Sequence, residues 1–293
     1  MADVPLCLMT VHAHPDDEAS KGPGTVARYR GEGVHTVLVT CTGGEAGDIL
    51  NPAMDKPEVK ADLPAVRLRE LARAARIIGY DEVVLLGYRD SGMPDTPPNS
   101  HPEAFANAPL EEAVGRLVEV IRRERPQVIV TYSDDQRGYP HPDHLRVHDI
   151  SVLAFEQAGD PDAHPGTGEP WQPLKLYYSV WSRKRLAAMH QRFVDLGLES
   201  PFSDEWLNRP HQDDRITTSV DINGFNDVRI DALLAHETQV DPTSPFWFGL
   251  PREEQVSIHP YDEYVLARSL VDGGGTPETD LFAGVRSQVA GRP

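Results

Sequence analysis

Five short apolar runs in the first 182 residues constrain the fold more than any other feature of this chain. PLCLMTVH (5–12), VHTVLVTC (34–41), EVVLLGY (82–88), QVIVTY (127–132) and LKLYYSVW (174–181) are of strand length and apolar almost throughout. Helical patterns separate them: GPGTVARYRGEG (22–33), LPAVRLRELARAARIIGY (63–80), PLEEAVGRLVEVIRRERP (109–126) and HLRVHDISVLAFEQAG (144–159). In the second of these, Leu68, Leu71, Ala75 and Ile78 share one face. Strands without polar alternation must be covered on both faces. Their alternation with helices predicts an α/β fold: a Rossmann-like, mostly parallel sheet with helices on both sides.

Right-handed crossovers put the C-terminal ends of parallel strands on one edge, and ligands bind outside that edge. The most polar loops of the sequence fall there: HPDDEASKG (14–22), TGGEAGDILNPAMD (42–55), RDSGMPDTPPNSH (89–101) and SDDQRGYPHPDH (133–144). Beyond residue 182 the pattern weakens to a helix (183–197), a strand (215–222), a helix (226–238), Pro/Phe-rich turns and a last strand within 253–268. We read 1–182 as the main domain and 183–293 as a smaller C-terminal lobe. The Gly- and Pro-rich tail after Val271 is expected to be mobile at its end.

The 46 acidic residues outnumber 28 basic ones, for a net charge of −18, which argues against nucleic acid or an anionic membrane as partner. No apolar run approaches the ~20 residues of a membrane span. The N-terminus lacks the basic and apolar regions of a signal peptide. The two cysteines, Cys7 and Cys41, lie in strand-like runs and read as reduced core thiols, so a cytoplasmic protein is expected.

His-Pro-Asp occurs twice, at 14–16 and 141–143, each time after an apolar strand and before a helix. One copy is a normal turn and helix cap. Two copies on one rim point to a site. Catalytic zinc takes three N or O ligands and keeps an open position, and cysteine-free ligation also suits Fe(II). His14 and Asp17 reach one ion from a single turn, and His144 supplies a third ligand from the other loop. Asp16 is left beside the ion, where a general base belongs. His148, one helical turn beyond His144, is a reserve ligand. His236 reads as a packing residue between the lobes, and His12 as a core residue or one that backs the site histidines. Glu45 and Asp48 either line the pocket or cap a helix. No G-x-G-x-x-G follows the first strand, which weakens a dinucleotide-binding reading.

HAHPDDE followed by HPDH resembles the signature of the PIG-L/LmbE-like zinc deacetylases. The resemblance implies His14, Asp17 and His144 as ligands of Zn²⁺, with Fe²⁺ an alternative, and Asp16 as the base. It implies that Tyr139 and His141 assist the developing oxyanion and that Asp143 orients a site histidine. HAHPDDEASKG, TGGEAGDILNPAMD, RLRELARAARIIG, RDSGMPD, GYPHPDH, KLYYSVW, AHETQVDP and ETDLFAG extend the likeness through nearly the whole chain to the mycothiol branch of the family. Within that branch the chain is more similar to the S-conjugate amidases than to the N-acetylglucosaminyl-inositol deacetylases. Lys21 is a feature of the amidases. Arg67 and Asp90 match positions that hold the glucosamine-inositol half of the substrate. The resemblance therefore implies a small thiol conjugate as substrate, cleaved at its cysteinyl-glucosamine amide, with the C-terminal lobe shaping the cleft. The stretch 183–215 matches less clearly.

Overall fold

The computed structural model describes residues 5–273, 275 and 277–290. Among them, seven strands form one sheet: β1 (Cys7–His12), β2 (His35–Thr42), β3 (Glu82–Tyr88), β4 (Val128–Thr131), β5 (Lys175–Val180), β6 (Thr218–Asp221) and β7 (Tyr261–Ser269). Their spatial order is β3-β2-β1-β4-β5-β7-β6. The pairs among β1 to β5 are parallel, and β7 runs antiparallel to both β5 and β6. This is the expected α/β class, a Rossmann-like sheet with helices on both faces.

The helices are α1 (Asp17–Ser20), α2 (Pro23–Gly31), α3 (Pro57–Ala61), α4 (Leu63–Ile78), α5 (Leu110–Glu124), α6 (Pro142–Gln157), α7 (Arg183–Asp195), α8 (Asp204–Leu207), α9 (Asp227–Ala235), α10 (Pro245–Phe248), α11 (Arg252–Ile258) and α12 (Val285–Ala290). Because side chains alternate along a strand, β1 feeds two cores. Met9 and Val11 pack with Val114, Leu117 and Ile121 of α5 and Val147 and Ile150 of α6. Leu8 packs on the opposite face with Val26 and Tyr29 of α2, Leu71 and Ile78 of α4 and Leu233 of α9. Cys7 and Cys41 are buried free thiols, and burial raises both above the ordinary thiol range. β3 sits at the sheet edge, where Val83 and Leu85 remain exposed, so only one of its faces is covered.

The segment after 182 returns to the sheet: β6 and β7 extend it beyond β5. The single strand expected within 253–268 is instead α11 followed by β7. Pro260 divides them, because it lacks an N–H and keeps His259 out of the helical region. Glu253 and Glu254 favour the helix N-terminus. A third apolar cluster of Leu186, Phe193, Phe202 and Leu250 joins α7 to the loops that follow it.

The tail after Val271 is packed over much of its length. Leu281, Phe282 and Val285 are buried, and Glu278 meets the fully buried Lys175 at 2.8 Å. The last residues, 291–293, lie outside the described residues. No helix among the described residues is long and apolar enough to cross a membrane.

Candidate metal and catalytic site

β1 and β4 are neighbours, so the loop after β1 meets the loop after β4 on the C-terminal edge of the sheet. The first loop carries HPDD and the second carries HPDH. Asp17 opens α1, and its carboxylate folds back to accept the His14 backbone N–H at 2.9 Å. Its Oδ2 lies 3.4 Å from His14 Nδ1, and its Oδ1 lies 3.5 Å from His144 Nε2 and 2.5 Å from Lys21 Nζ. One carboxylate therefore touches both histidines, and one ring nitrogen each of His14, His141 and His144 fall within 4.8 Å of one another.

The surroundings fix how each ring is turned. His14 Nε2 points away from Asp17, to Asp143 at 3.2 Å and Asp90 at 3.5 Å. Asp143 is fully buried, and it also accepts from the Ser91 backbone N–H and hydroxyl. This carboxylate–imidazole contact fixes a proton on Nε2, so Nδ1, on the side of Asp17, is the atom that could ligate an ion. His141 caps α6, its Nδ1 accepting the Asp143 backbone N–H at 3.2 Å, so the neutral ring carries its proton on Nε2. His144 stacks on Tyr132, with ring centroids 4.4 Å apart.

The electrostatics follow from burial set against these contacts. Burial pushes Asp17 up, but Lys21, His144 and His14 outweigh it and hold the carboxyl well below its ordinary value. Burial lowers His144 to about 4 despite Asp17. Burial would lower His14 too, but Asp143, Asp17 and Asp90 hold it well above.

Asp16 adopts φ 116°, a left-handed conformation rare for any residue but glycine and costing about 1–3 kcal/mol. Two buried groups hold it. Arg67 Nη2 donates to the Pro15 carbonyl at 2.6 Å and to Asp16 Oδ2 at 3.1 Å, while Nη1 donates to the Gly44 carbonyl. Glu18 accepts the Asp16 backbone N–H at 2.9 Å and is itself paired with His236 Nε2 at 2.6 Å. Desolvation raises the Asp16 carboxyl above its ordinary value, with Arg67 opposing.

The ten residues given a catalytic, ligating, orienting or substrate-holding role from the sequence lie at or beneath this cluster, but not all face its open side. Arg67 and Asp90 are each only 3% exposed. Arg67 is spent on the turn. Asp90 accepts from the backbone N–H groups of Ala46 and Gly92. The structure thus places both below the site and joins them to Asp16 and His14. Tyr139 sits at the mouth, 55% exposed, its ring 5.5 Å from that of His144 and its hydroxyl 3.7 Å from Met93 Sδ. Lys21 also lies 5.3 Å over the Tyr132 ring.

His148, the reserve ligand, turns away to the Tyr132 carbonyl at 3.1 Å. His12 is a buried core residue whose ring burial lowers to about 4. His236 is fully buried and ties α9 to the HPDD turn. Glu45 accepts the Asp90 N–H at 3.0 Å, and the Asp48 carbonyl accepts from Gln239.

Sequence reasoning missed Glu18, Ser91 and Tyr132. Tyr132 carried a signal: it is the aromatic residue that ends the fourth apolar run, directly on the ligand edge. Glu18 carried one too, as the fifth residue of a motif whose other charges were all assigned.

The donor set suits a divalent ion. Two imidazoles and a carboxylate converge from two rigid strand ends, a third imidazole lies alongside, and the outward nitrogen of His14 is held by a carboxylate. The alternative grouping of His14, Asp90 and Asp143 also lies within 4.8 Å. There, however, the carboxylates already accept from backbone and hydroxyl donors and bond the protonated side of His14.

Comparison with known proteins agrees with this geometry. The profile of the family described as PIG-L, GlcNAc-PI de-N-acetylase, matches residues 9–155. The chain is 46% identical to the mycothiol S-conjugate amidase of Streptomyces coelicolor, over 96% of this chain and 98% of that one. It is 39% identical to the 1D-myo-inositol 2-acetamido-2-deoxy-alpha-D-glucopyranoside deacetylase of Streptomyces avermitilis, over 97% and 99%. Among solved structures, the N,N'-diacetylchitobiose deacetylase of Pyrococcus horikoshii superposes with a TM-score of 0.60 at 15% identity, covering 89% of this chain and 83% of the other, a likeness of fold. The chain belongs to the PIG-L family of LmbE-like deacetylases and amidases, enzymes that hydrolyse amides.

Proposed function

We propose that this protein is a zinc-dependent amidase that cleaves the cysteinyl-glucosamine amide of mycothiol S-conjugates, releasing an N-acetylcysteine S-conjugate and glucosaminyl-inositol. The observation that carries the reading is the single turn in which Asp17 meets His14 and His144 while Asp16 stands beside them, fixed by Arg67 and Glu18. His14, Asp17 and His144 would hold the metal, Zn²⁺ or Fe²⁺, which when bound supplies a Lewis acid and lowers the pKa of water.

Asp16 accepts the proton of the attacking water and passes it to the leaving amine nitrogen, as a general base and then acid. His141 Nε2–H and the Tyr139 hydroxyl donate to the carbonyl oxygen as it gains charge. Arg67 acts by fixing Asp16, and Asp90 and Asp143 act by orienting His14. Lys21 supports the amidase reading, because its ammonium lies beside Asp17 and can hold an oxygen on the acyl side of the substrate.

The second reading is deacetylation of N-acetylglucosaminyl-inositol, favoured by the relative at 39% identity. A related amidase of antibiotic biosynthesis would use the same site chemistry. Both mycothiol-branch substrates carry the same sugar and inositol, so the two readings differ only in the acyl group. Side-by-side turnover by the metal-loaded protein tests the choice. A kcat/KM at least tenfold higher on a mycothiol S-conjugate supports the amidase. The reverse ratio assigns the deacetylase.

A further inference from the structure

The two side chains assigned to the carbonyl oxygen, Tyr139 and His141, come from one loop between β4 and α6. His141 is buried and fixed as the cap of α6. Tyr139 is not, because residues 137–140 are all exposed. Among the described residues, this tip makes one hydrogen bond beyond its own loop, from the Tyr139 hydroxyl to Met93 Sδ at 3.7 Å. A side chain added at Gly138 would meet nothing. A tip with so little to rest on takes its place from the root of the loop.

That root is held from the C-terminal lobe, by the half-buried Gln212 in the segment between α8 and β6. Its Nε2 donates to the Asp135 carbonyl at 2.9 Å. Its Oε1 accepts from the buried Ser133 hydroxyl at 2.7 Å and from the Arg215 guanidinium at 3.0 Å. A backbone carbonyl only accepts and a guanidinium only donates, so the amide fits one way round. Arg215 adds an ion pair to Asp134 at 2.8 Å, but both side chains are open to solvent, which makes the pair a weak tether. The hold then passes along the loop. Gln136 donates to the His144 carbonyl at 3.1 Å, and its own carbonyl accepts the Tyr139 N–H at 3.0 Å.

Gln212 is itself anchored. The carboxylate of Asp213, next in the chain, accepts the backbone N–H groups of Arg183 and Lys184 at 2.8 and 3.1 Å, at the start of α7. These are donors that a helix leaves free in its first turn. α7 follows β5, and β5 pairs with β4. The clamp and the loop it grips therefore hang from adjacent strands of one sheet.

We propose that Gln212 is a positioning residue: it clamps the root of the loop after β4 and so sets where the Tyr139 phenol stands over the cluster. Its catalytic consequence rests on the reading that Tyr139 donates to the carbonyl oxygen. Such a donor acts only at hydrogen-bond range of the charge that develops, so a loop released from Gln212 loses rate rather than affinity.

The test uses the metal-loaded protein and whichever mycothiol-branch substrate the wild type turns over faster. Tyr139→Phe lowers kcat by roughly 10²-fold, the scale of one oxyanion donor. Gln212→Ala lowers kcat by roughly tenfold, with KM within about twofold of wild type and the metal content unchanged. In the double variant Gln212→Ala adds less than about twofold, because the phenol it positions is already gone. A kcat unchanged in Gln212→Ala, or two losses that simply multiply, overturns the assignment; a change that only loosens the fold gives the multiplied result. If Tyr139→Phe keeps its kcat, the reading of Tyr139 has failed, and trypsin decides the clamp separately. Arg137 lies at the exposed tip, and cleavage after it follows how often the loop opens. Cleavage there that is about fivefold or more faster in Gln212→Ala than in wild type, with other sites unchanged, upholds the clamp. An equal rate overturns it.

Discussion

Replacing His236 with alanine should be among the most damaging single changes in this protein, although His236 lies 218 residues from its partner in the chain. Its Nε2 meets Glu18 Oε1 at 2.6 Å with neither side chain exposed. Burial pushes Glu18 up, but the His236 ring and the Asp16 N–H outweigh it and hold the carboxyl below its ordinary value. Burial pushes His236 down, and Glu18 outweighs it in turn, which favours the ion pair. Removing the ring leaves the fully buried Glu18 with one donor among the described residues, the Asp16 N–H. Deleting one member of a buried pair costs about 3–5 kcal/mol, because the other charge is left uncompensated. Urea unfolding at pH 7 reads this as a lower midpoint with an unchanged slope. Adding Glu18→Gln removes the stranded charge, so the double variant should recover about 1–3 kcal/mol relative to additivity. Activity should fall as well, since Glu18 holds the backbone of Asp16. A His236→Ala variant within about 0.5 kcal/mol of wild type, or a strictly additive double variant, would refute the reasoning.

His14→Ala and His144→Ala should each lose the bound metal and activity while keeping the wild-type circular dichroism spectrum; stoichiometric metal in both would show that the ligands lie elsewhere. Asp16→Asn should retain metal and lose roughly 10²–10⁴ in kcat, and a metal-free but otherwise rescuable variant would mean that Asp16 and Asp17 exchange roles. Lys21→Ala should weaken conjugate hydrolysis more than deacetylation, and equal losses would place Lys21 on the shared sugar half. Burial raises Asp262, but Arg229, Arg185 and Thr25 outweigh it and hold its carboxyl below the ordinary 3.8. Its contribution is therefore present above about pH 4 and lost as pH falls further. Asp262→Asn should be less stable than wild type at pH 7, with the gap closing in acid unfolding scans below that value.

The first five strands were legible because each is apolar along its length and bounded by turns, and the two His-Pro-Asp motifs were legible because both follow such strands. What the sequence hides is pairing over distance. Nothing local in TTSVD or YDEYVLARS says that these strands join the far side of the same sheet. Pro260, which splits α11 from β7, was visible, but periodicity on both sides of it is too weak to separate helix from strand. Arg67 and Asp90 look like surface charges in a charged helix and a polar loop. Their burial depends on Asp16 and His14 lying opposite them, which only the folded chain brings about. The tail looked loose for a similar reason: Gly and Pro weaken local structure, while Leu281 and Phe282 are held by a core built more than 200 residues earlier.

Lys175, in the middle of the sheet, sets an order of events during synthesis. It is fully buried, and its ammonium is met by Glu278 and by the Ala283 carbonyl. The phenol of Tyr177, two residues on, donates to the same carboxylate. During synthesis, a chain that has already made β1 to β5 leaves the backbone edge of β5 unpaired until β7 emerges, and leaves the Lys175 ammonium without its counter-charge until Glu278 follows. Such an edge recruits any strand it meets, including that of a neighbouring nascent chain. Neutralisation of the Lys175 ammonium therefore waits for a residue 103 positions further along the chain.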